Sequence, residues 1–162
     1  MTPFSQKHPF PDSNPDKTSS GQRIILMTQI KRYLEDLNTD ALRNTYIPHQ
    51  LLTSRPYQKL IRHLQEHKPI REDSGLWTDI QNAILESSPD FIRNIYILVG
   101  RQLKAQDYHA ILLIKCGMKP SHLTILTGRT KGTISYRRRQ LCKYIFSDQI
   151  ASQYFDHIIQ FL

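Results

Sequence analysis

Forty residues of this chain, from Tyr108 to Ser147, contain no Asp or Glu but hold eight cations. These are Lys115, Lys119, Arg129, Lys131, Arg137, Arg138, Arg139 and Lys143. The other 14 of the 22 Lys and Arg balance the 14 Asp and Glu, so the whole net charge of +8 belongs to this block. A solvated protein face mixes signs, and a one-sign block suits a polyanionic partner. Its densest part runs from Gly128 to Phe146 and reads as a helix opening after a Gly-Arg-Thr turn. At about 100° per residue, Leu141 and Ile145 fall within about 20° of Ile134 and form one narrow apolar stripe. Gly132, Tyr136, Arg139 and Lys143 fall on the opposite side, with Ser135 on one flank and Thr133 and Gln140 on the other. Such a helix docks along one edge and offers the other to an anion.

Other chemistry is poorly supplied. There is no Gly-rich phosphate loop after a strand, and no cysteine–histidine or serine–histidine spacing with catalytic meaning, so no catalytic residue, cofactor or metal is expected. His63 and His67 stand at i and i+4, a metal-ligand spacing, but lack an interior Glu and a third ligand and read as exposed histidines. Cys116 and Cys142 sit inside apolar helical patterns without a partner motif and read as reduced core thiols. Trp77 reads as a core anchor between the two helices that follow residue 75.

The elements that must position the basic helix are all helical. A length of 162 residues implies about one domain; 39% hydrophobic residues and one Trp suffice for a modest helical core. Residues 1–21 carry four prolines among polar residues and read as a disordered leader. Ile24, Met27, Ile30, Leu34 and Leu37 form an amphipathic stripe, and Thr39 or Asp40 could cap a short helix over Ala41–Tyr46. Ser54 with Pro56 opens a helix carrying Tyr57, Leu60, Ile61 and Leu64. Lys68 to Gly75 reads as a polar loop. Leu76–Ile84 and Phe91–Val99 are two more helices, the second capped by Ser88. Asp107 is expected to cap Tyr108–Cys116, with Gly117 as its stop. A short helix over Ser121–Leu126 and a turn at Thr127–Thr130 lead into the basic helix, 131–146. A terminal helix carries Ile150, Tyr154, Ile158 and Phe161. The expectation is an all-α helical bundle with a C-terminal helix-turn-helix module. Its divisions are a leader (1–21), a scaffold or dimerisation region (22–105), the module (106–147) and a C-terminal helix (148–162). No run of 18 apolar residues or apolar leader is present, so a cytoplasmic protein without a membrane span is expected.

The module's proportions suit the motif: a buried helix, a short helix, a Gly-containing turn, and a longer helix whose hydroxyl-rich N-terminus, capped by Thr130, can meet phosphate. The stretch Leu123-Thr-Ile-Leu-Thr-Gly-Arg-Thr-Lys-Gly-Thr-Ile-Ser-Tyr-Arg137 resembles the pattern of LuxR-type output domains and of the promoter-reading C-terminal region of bacterial sigma factors. The wider frame, about residues 50–147, is similar to bacterial helix-turn-helix regulators. The resemblance implies a sequence-specific transcriptional regulator bound to double-stranded DNA. Lys131, Gly132, Ser135, Tyr136 and Arg139 would face base edges, and Arg129, Thr130, Thr133, Arg137 and Lys143 would hold phosphates. The chain departs from the pattern at His122, where an acidic residue is usual, and at Thr124, where a small residue is usual; no sensor portion is expected ahead of the module.

Arg138 lies about 40° from the apolar stripe and could brace the scaffold through its stem. One such module makes too few contacts for tight specific binding, so homodimerisation through the helices before residue 107, or RNA polymerase, is expected to supply the rest. The same basic block suits RNA, and the fold could serve as a protein- or RNA-interaction module. A membrane surface is disfavoured because the basic helix lacks a broad apolar face.

Overall fold

Apolar residues at spacings of three and four become helices throughout the residues that the computed structural model describes, 15–37, 47–147 and 149–162. No strand occurs among them, and no helix is long and apolar enough to cross a membrane. The expected short helix over Ala41–Tyr46 lies outside the described residues.

Helix α1 spans Pro15–Asp36, so residues 15–21 of the expected disordered leader are helical. Pro15 sits at the first helical position, where a missing N–H costs nothing and the fixed φ suits the helix. The buried face of α1 is also rotated from the expected stripe. Leu26, Met27 and Ile30 are buried, whereas Ile24 is 68% exposed. Arg23 replaces it on the inner side, donating to the carbonyl oxygens of Leu98 and, at 2.8 Å, of Ile145. Two bonds from one guanidinium to orphan carbonyls near helix C-termini outweigh the burial of one isoleucine.

A short helix α2, His49–Leu52, follows Pro48 and buries Leu51. Helix α3 spans Arg55–Gln65, with Ser54 Oγ accepting from the Tyr57 N–H at 3.3 Å. In the following loop Ile70 is buried, and its N–H donates to Leu126 O at 2.8 Å. Helices α4, Leu76–Ser87, and α5, Phe91–Val99, form the next pair. Ser88 does not cap α5 as expected: it flanks the end of α4, and Asp90 precedes α5. Gly100, at φ +74°, closes α5.

Helix α6, Ala105–Lys115, is buried from Tyr108 to Lys115 and lies against α4 and the C-terminal helix. It starts before the expected Asp107 cap, placing Asp107 in its first turn, where a carboxylate meets the positive end of the helix dipole. Then come α7, Pro120–Thr127, and α8, Lys131–Phe146. A 3₁₀ turn at Ser152–Tyr154 precedes α9, Phe155–Phe161. The terminal helix is thus shorter than expected and buries Phe155, Ile158 and Ile159. Phe161 is 42% exposed and stacks on Tyr33 of α1 with ring centroids 4.3 Å apart. One apolar cluster runs from Leu26 to Leu162.

Candidate nucleic-acid interface

The local sequence sets the path from α7 into α8. Gly128 takes φ +70°, a left-handed conformation open to glycine at little cost, and so reverses the chain after Thr127. Thr130 is extended, and its Oγ1 accepts from the Thr133 N–H at 3.2 Å. The same hydroxyl donates to Thr133 Oγ1 at 2.9 Å. At His122, where the resemblance expects an acidic residue, Nδ1 accepts from the Lys119 N–H at 3.1 Å. That is the reciprocal cap an acidic residue usually makes at this place. Burial first, then the Lys119 charge, holds the His122 pKa below the ordinary value, which suits a neutral acceptor. Thr124 turns its hydroxyl back to Ser121 O at 2.6 Å, so its added polar group is satisfied within α7.

Ile134, Leu141, Cys142, Ile145 and Phe146 anchor α8. The opposite side is in water: Lys131, Gly132, Tyr136, Arg139, Gln140 and Lys143 are exposed, as are Arg129 and Thr130 in the turn. Thr133 and Ser135 are half-buried on the flanks. The residues that the resemblance assigns to bases and phosphates therefore lie on one continuous surface, with one exception of kind. Arg137 donates to Asp107 Oδ1 at 3.4 Å and is a paired cation.

Arg138 also points away from that surface. Its Nη2 meets Asp156 Oδ1 at 2.6 Å, tying α8 to α9, and its Nε is buried without a hydrogen-bond partner. The three-arginine run thus divides into two ion-paired arginines and one exposed cation without an ion pair, Arg139. Among the described residues Arg129, Lys131, Arg139 and Lys143 make no ion pair.

Two further cations adjoin this surface and were missed in the sequence. Arg101 and Lys104, in the loop from α5 to α6, are exposed and share a groove of about 630 Å³ with Gly132, Tyr136, Gln140 and the paired Arg137 and Asp107. Arg101 lies over the Tyr144 ring, 4.2 Å from its centroid, and its Nε donates to the Tyr144 hydroxyl. Both cations precede the acid-free block, and only the return of the chain beside α8 reveals their place.

Elsewhere the titratable groups are structural. His63 Nδ1 lies 3.0 Å from Lys68 O, and no cluster of three metal-ligating side chains occurs among the described residues. Burial pushes the Cys116 thiol up to about 12 and raises that of Cys142 as well. Trp77 donates from Nε1 to Arg71 O at 2.9 Å. Its ring stacks on His109 of α6 at 3.9 Å, so this core residue also ties α4 to α6.

Comparison with known proteins finds no matching family model, no matching curated protein and no matching solved structure. The class is therefore defined by the chain's own geometry: a protein all-helical among its described residues, with a 16-residue capped helix, α8, that carries four Arg and Lys beyond its first turn and no carboxylate.

Proposed function

We propose that the chain is a sequence-specific DNA-binding transcriptional regulator, with α7, the turn and α8 forming a helix-turn-helix module and α8 lying in the major groove. The observation that carries this reading is the outward face of α8. From Arg129 to Lys143 it offers four cations without ion pairs, interleaved with Thr130, Tyr136 and Gln140, and no carboxylate among its own residues. A 16-residue helix is about 24 Å long at 1.5 Å per residue, and the major groove, about 12 Å wide, admits it. The capped N-terminus presents backbone N–H groups and the positive dipole end to phosphate.

In this reading Lys131, Gly132, Ser135, Tyr136 and Arg139 face base edges. Arg129, Thr130, Thr133 and Lys143 hold phosphates, and Arg101 and Lys104 extend that row along the neighbouring loop. Arg137 is left to Asp107. A second copy of the chain, or RNA polymerase, supplies the contacts that one helix cannot.

The test is fluorescence anisotropy on genomic fragments across a salt series. Four phosphate-neutralising cations give a slope of log K against log salt of about −3.6. Arg139→Ala weakens binding and lowers the preference for the selected sequence, since a bidentate arginine–guanine contact discriminates by about 1–3 kcal/mol. Lys143→Ala weakens all sequences alike. Saturable binding to RNA or to a protein, with no DNA complex even at low salt, would sink the proposal.

A further inference from the structure

Outside the basic block the charges sum to zero, but they are not spread evenly. From Ala41 to Gln65 the chain holds no Asp or Glu, and Arg55, Lys59 and Arg62 stand at i, i+4 and i+7 on α3. At about 100° per residue the three fall within about 60° of one another. All three are exposed, while Leu60 is buried and Tyr57, Ile61 and Leu64 are half-buried on the other side of the helix. Among the described residues none of the three cations makes an ion pair. Glu66, the C-cap residue one turn past Arg62, ends the row.

Local stability does not account for this row. Arg55 is the first residue of α3, where the helix dipole disfavours a cation, and the first turn holds no acidic residue to offset it. Lys59 stands one turn from each arginine, so like charges repel along the helix. A polyanion laid across the row relieves both effects.

The row is also held in place against the proposed module. Helix α3 packs on α7. Beyond its end, the Ile70 N–H donates to Leu126 O at 2.8 Å, and Pro69 lies beside Gly128 of the turn. Thus α3 adjoins α7, whereas Arg101 and Lys104 adjoin α8. From Arg55 to Arg62 is about 10.5 Å along the axis at 1.5 Å per residue, the length of about three phosphates of one strand at 3.4 Å each.

We propose that Arg55, Lys59 and Arg62 hold the phosphate backbone of duplex DNA beside the groove that α8 enters, which makes α3 a second anchor. This rests on the DNA-binding reading and deepens it. The row adds affinity without sequence preference, because phosphates carry no base information. A small anion would meet one or two of the three charges; a continuous phosphate chain meets them all.

The full chain and its triple variant Arg55→Gln, Lys59→Gln, Arg62→Gln are compared by anisotropy on a selected and a scrambled duplex across a salt series. Seven phosphate-neutralising cations in place of four steepen the slope of log K against log salt from about −3.6 to about −6.3. The triple variant returns it to about −3.6, so between about 50 and 200 mM salt the parent loses about fortyfold more affinity than the variant. The ratio of selected to scrambled binding is unchanged. Arg55→Lys with Arg62→Lys keeps the parent slope, since a phosphate contact asks for charge alone. Circular dichroism melts of the variants match the parent, because exposed charges leave the core intact. A DNA complex whose slope differs by less than about 0.9 between parent and triple variant overturns this proposal and leaves the α8 reading standing. A slope lowered by the triple variant but not by Lys143→Ala keeps the α3 anchor and removes the α8 reading. No DNA complex at any salt removes both.

Discussion

Asp156→Ala separates the three arginines of α8 by role. The Arg138–Asp156 pair is 2.6 Å long, with side chains 23% and 20% exposed, and it joins α8 to α9. An exposed pair contributes about 0.2–1 kcal/mol, whereas removing one partner of a fully buried pair costs about 3–5 kcal/mol. A site between these limits gives a loss of about 2 kcal/mol for Asp156→Ala, since the guanidinium is left partly buried beside an Nε that already lacks a partner. At about 2–4 °C per kcal/mol for a chain of this size, Tm falls by about 4–8 °C. Arg138→Met keeps the packing stem and removes the unmet Nε but strands the Asp156 carboxylate, 20% exposed, so it costs a similar amount, about 2 kcal/mol. Combining the two changes recovers stability relative to Asp156→Ala alone. Urea and thermal unfolding followed by circular dichroism measure all three, and salt-titrated DNA binding is read on the same samples. Arg138→Met leaves the salt slope unchanged, while Arg139→Ala leaves stability within about 0.5 kcal/mol of the parent. An Asp156→Ala cost near zero, or a slope lowered as much by Arg138→Met as by Lys143→Ala, would show that Arg138 belongs to the outward face and refute the division.

Three other expectations follow from the same geometry. Gly128→Ala costs about 1–2 kcal/mol because φ +70° strains any Cβ, while Pro69 Cβ at 3.5 Å is an ordinary contact; a loss below about 0.5 kcal/mol by urea unfolding would contradict the left-handed turn. Thr130→Ala removes the hydrogen bond to the Thr133 N–H and lowers stability by about 1 kcal/mol, measured the same way. His109 holds its folded pKa at about 4, below the ordinary 6.5, through burial, so the unfolded chain binds the extra proton between these values. Its contribution of about 3 kcal/mol is therefore present above pH 6.5 and lost as pH falls toward 4. His109→Phe should remove that part of the acid sensitivity, and unfolding curves for both proteins across this range with the same pH slope would contradict it.

Much of the fold was legible in the residues because its signals are local. The spacing of Ile134, Leu141 and Ile145 places the buried edge of α8, and Ser54, Thr130, Gly117 and Gly128 mark helix ends through hydrogen bonds and φ values available within a few residues. The block without carboxylates is likewise a property of composition, and it singled out the helix on which the functional reading rests. Other features depended on partners distant in the chain. Arg23 takes the inner face of α1 because the carbonyls of Leu98 and Ile145 come within reach of it. Terminal aromatics follow the same rule, since Phe161 faces Tyr33 while Phe155 enters the core.

The arginine run shows most plainly where the sequence stops and the tertiary structure takes over. Helical spacing alone puts Arg137, Arg138 and Arg139 on successive sides of α8, and it raises the suspicion that Arg138 turns inward. It cannot say which of the three keeps its charge available. That is decided by Asp107, 30 residues earlier, and Asp156, 18 residues later, which the fold carries to Arg137 and Arg138. Arg101 and Lys104 are brought to the outward face in the same way. The sequence by itself determined an all-helical chain with one concentrated basic segment, because periodicity and composition act locally. Only the folded chain decided which cations remain exposed, because an ion pair requires its partner to arrive from elsewhere.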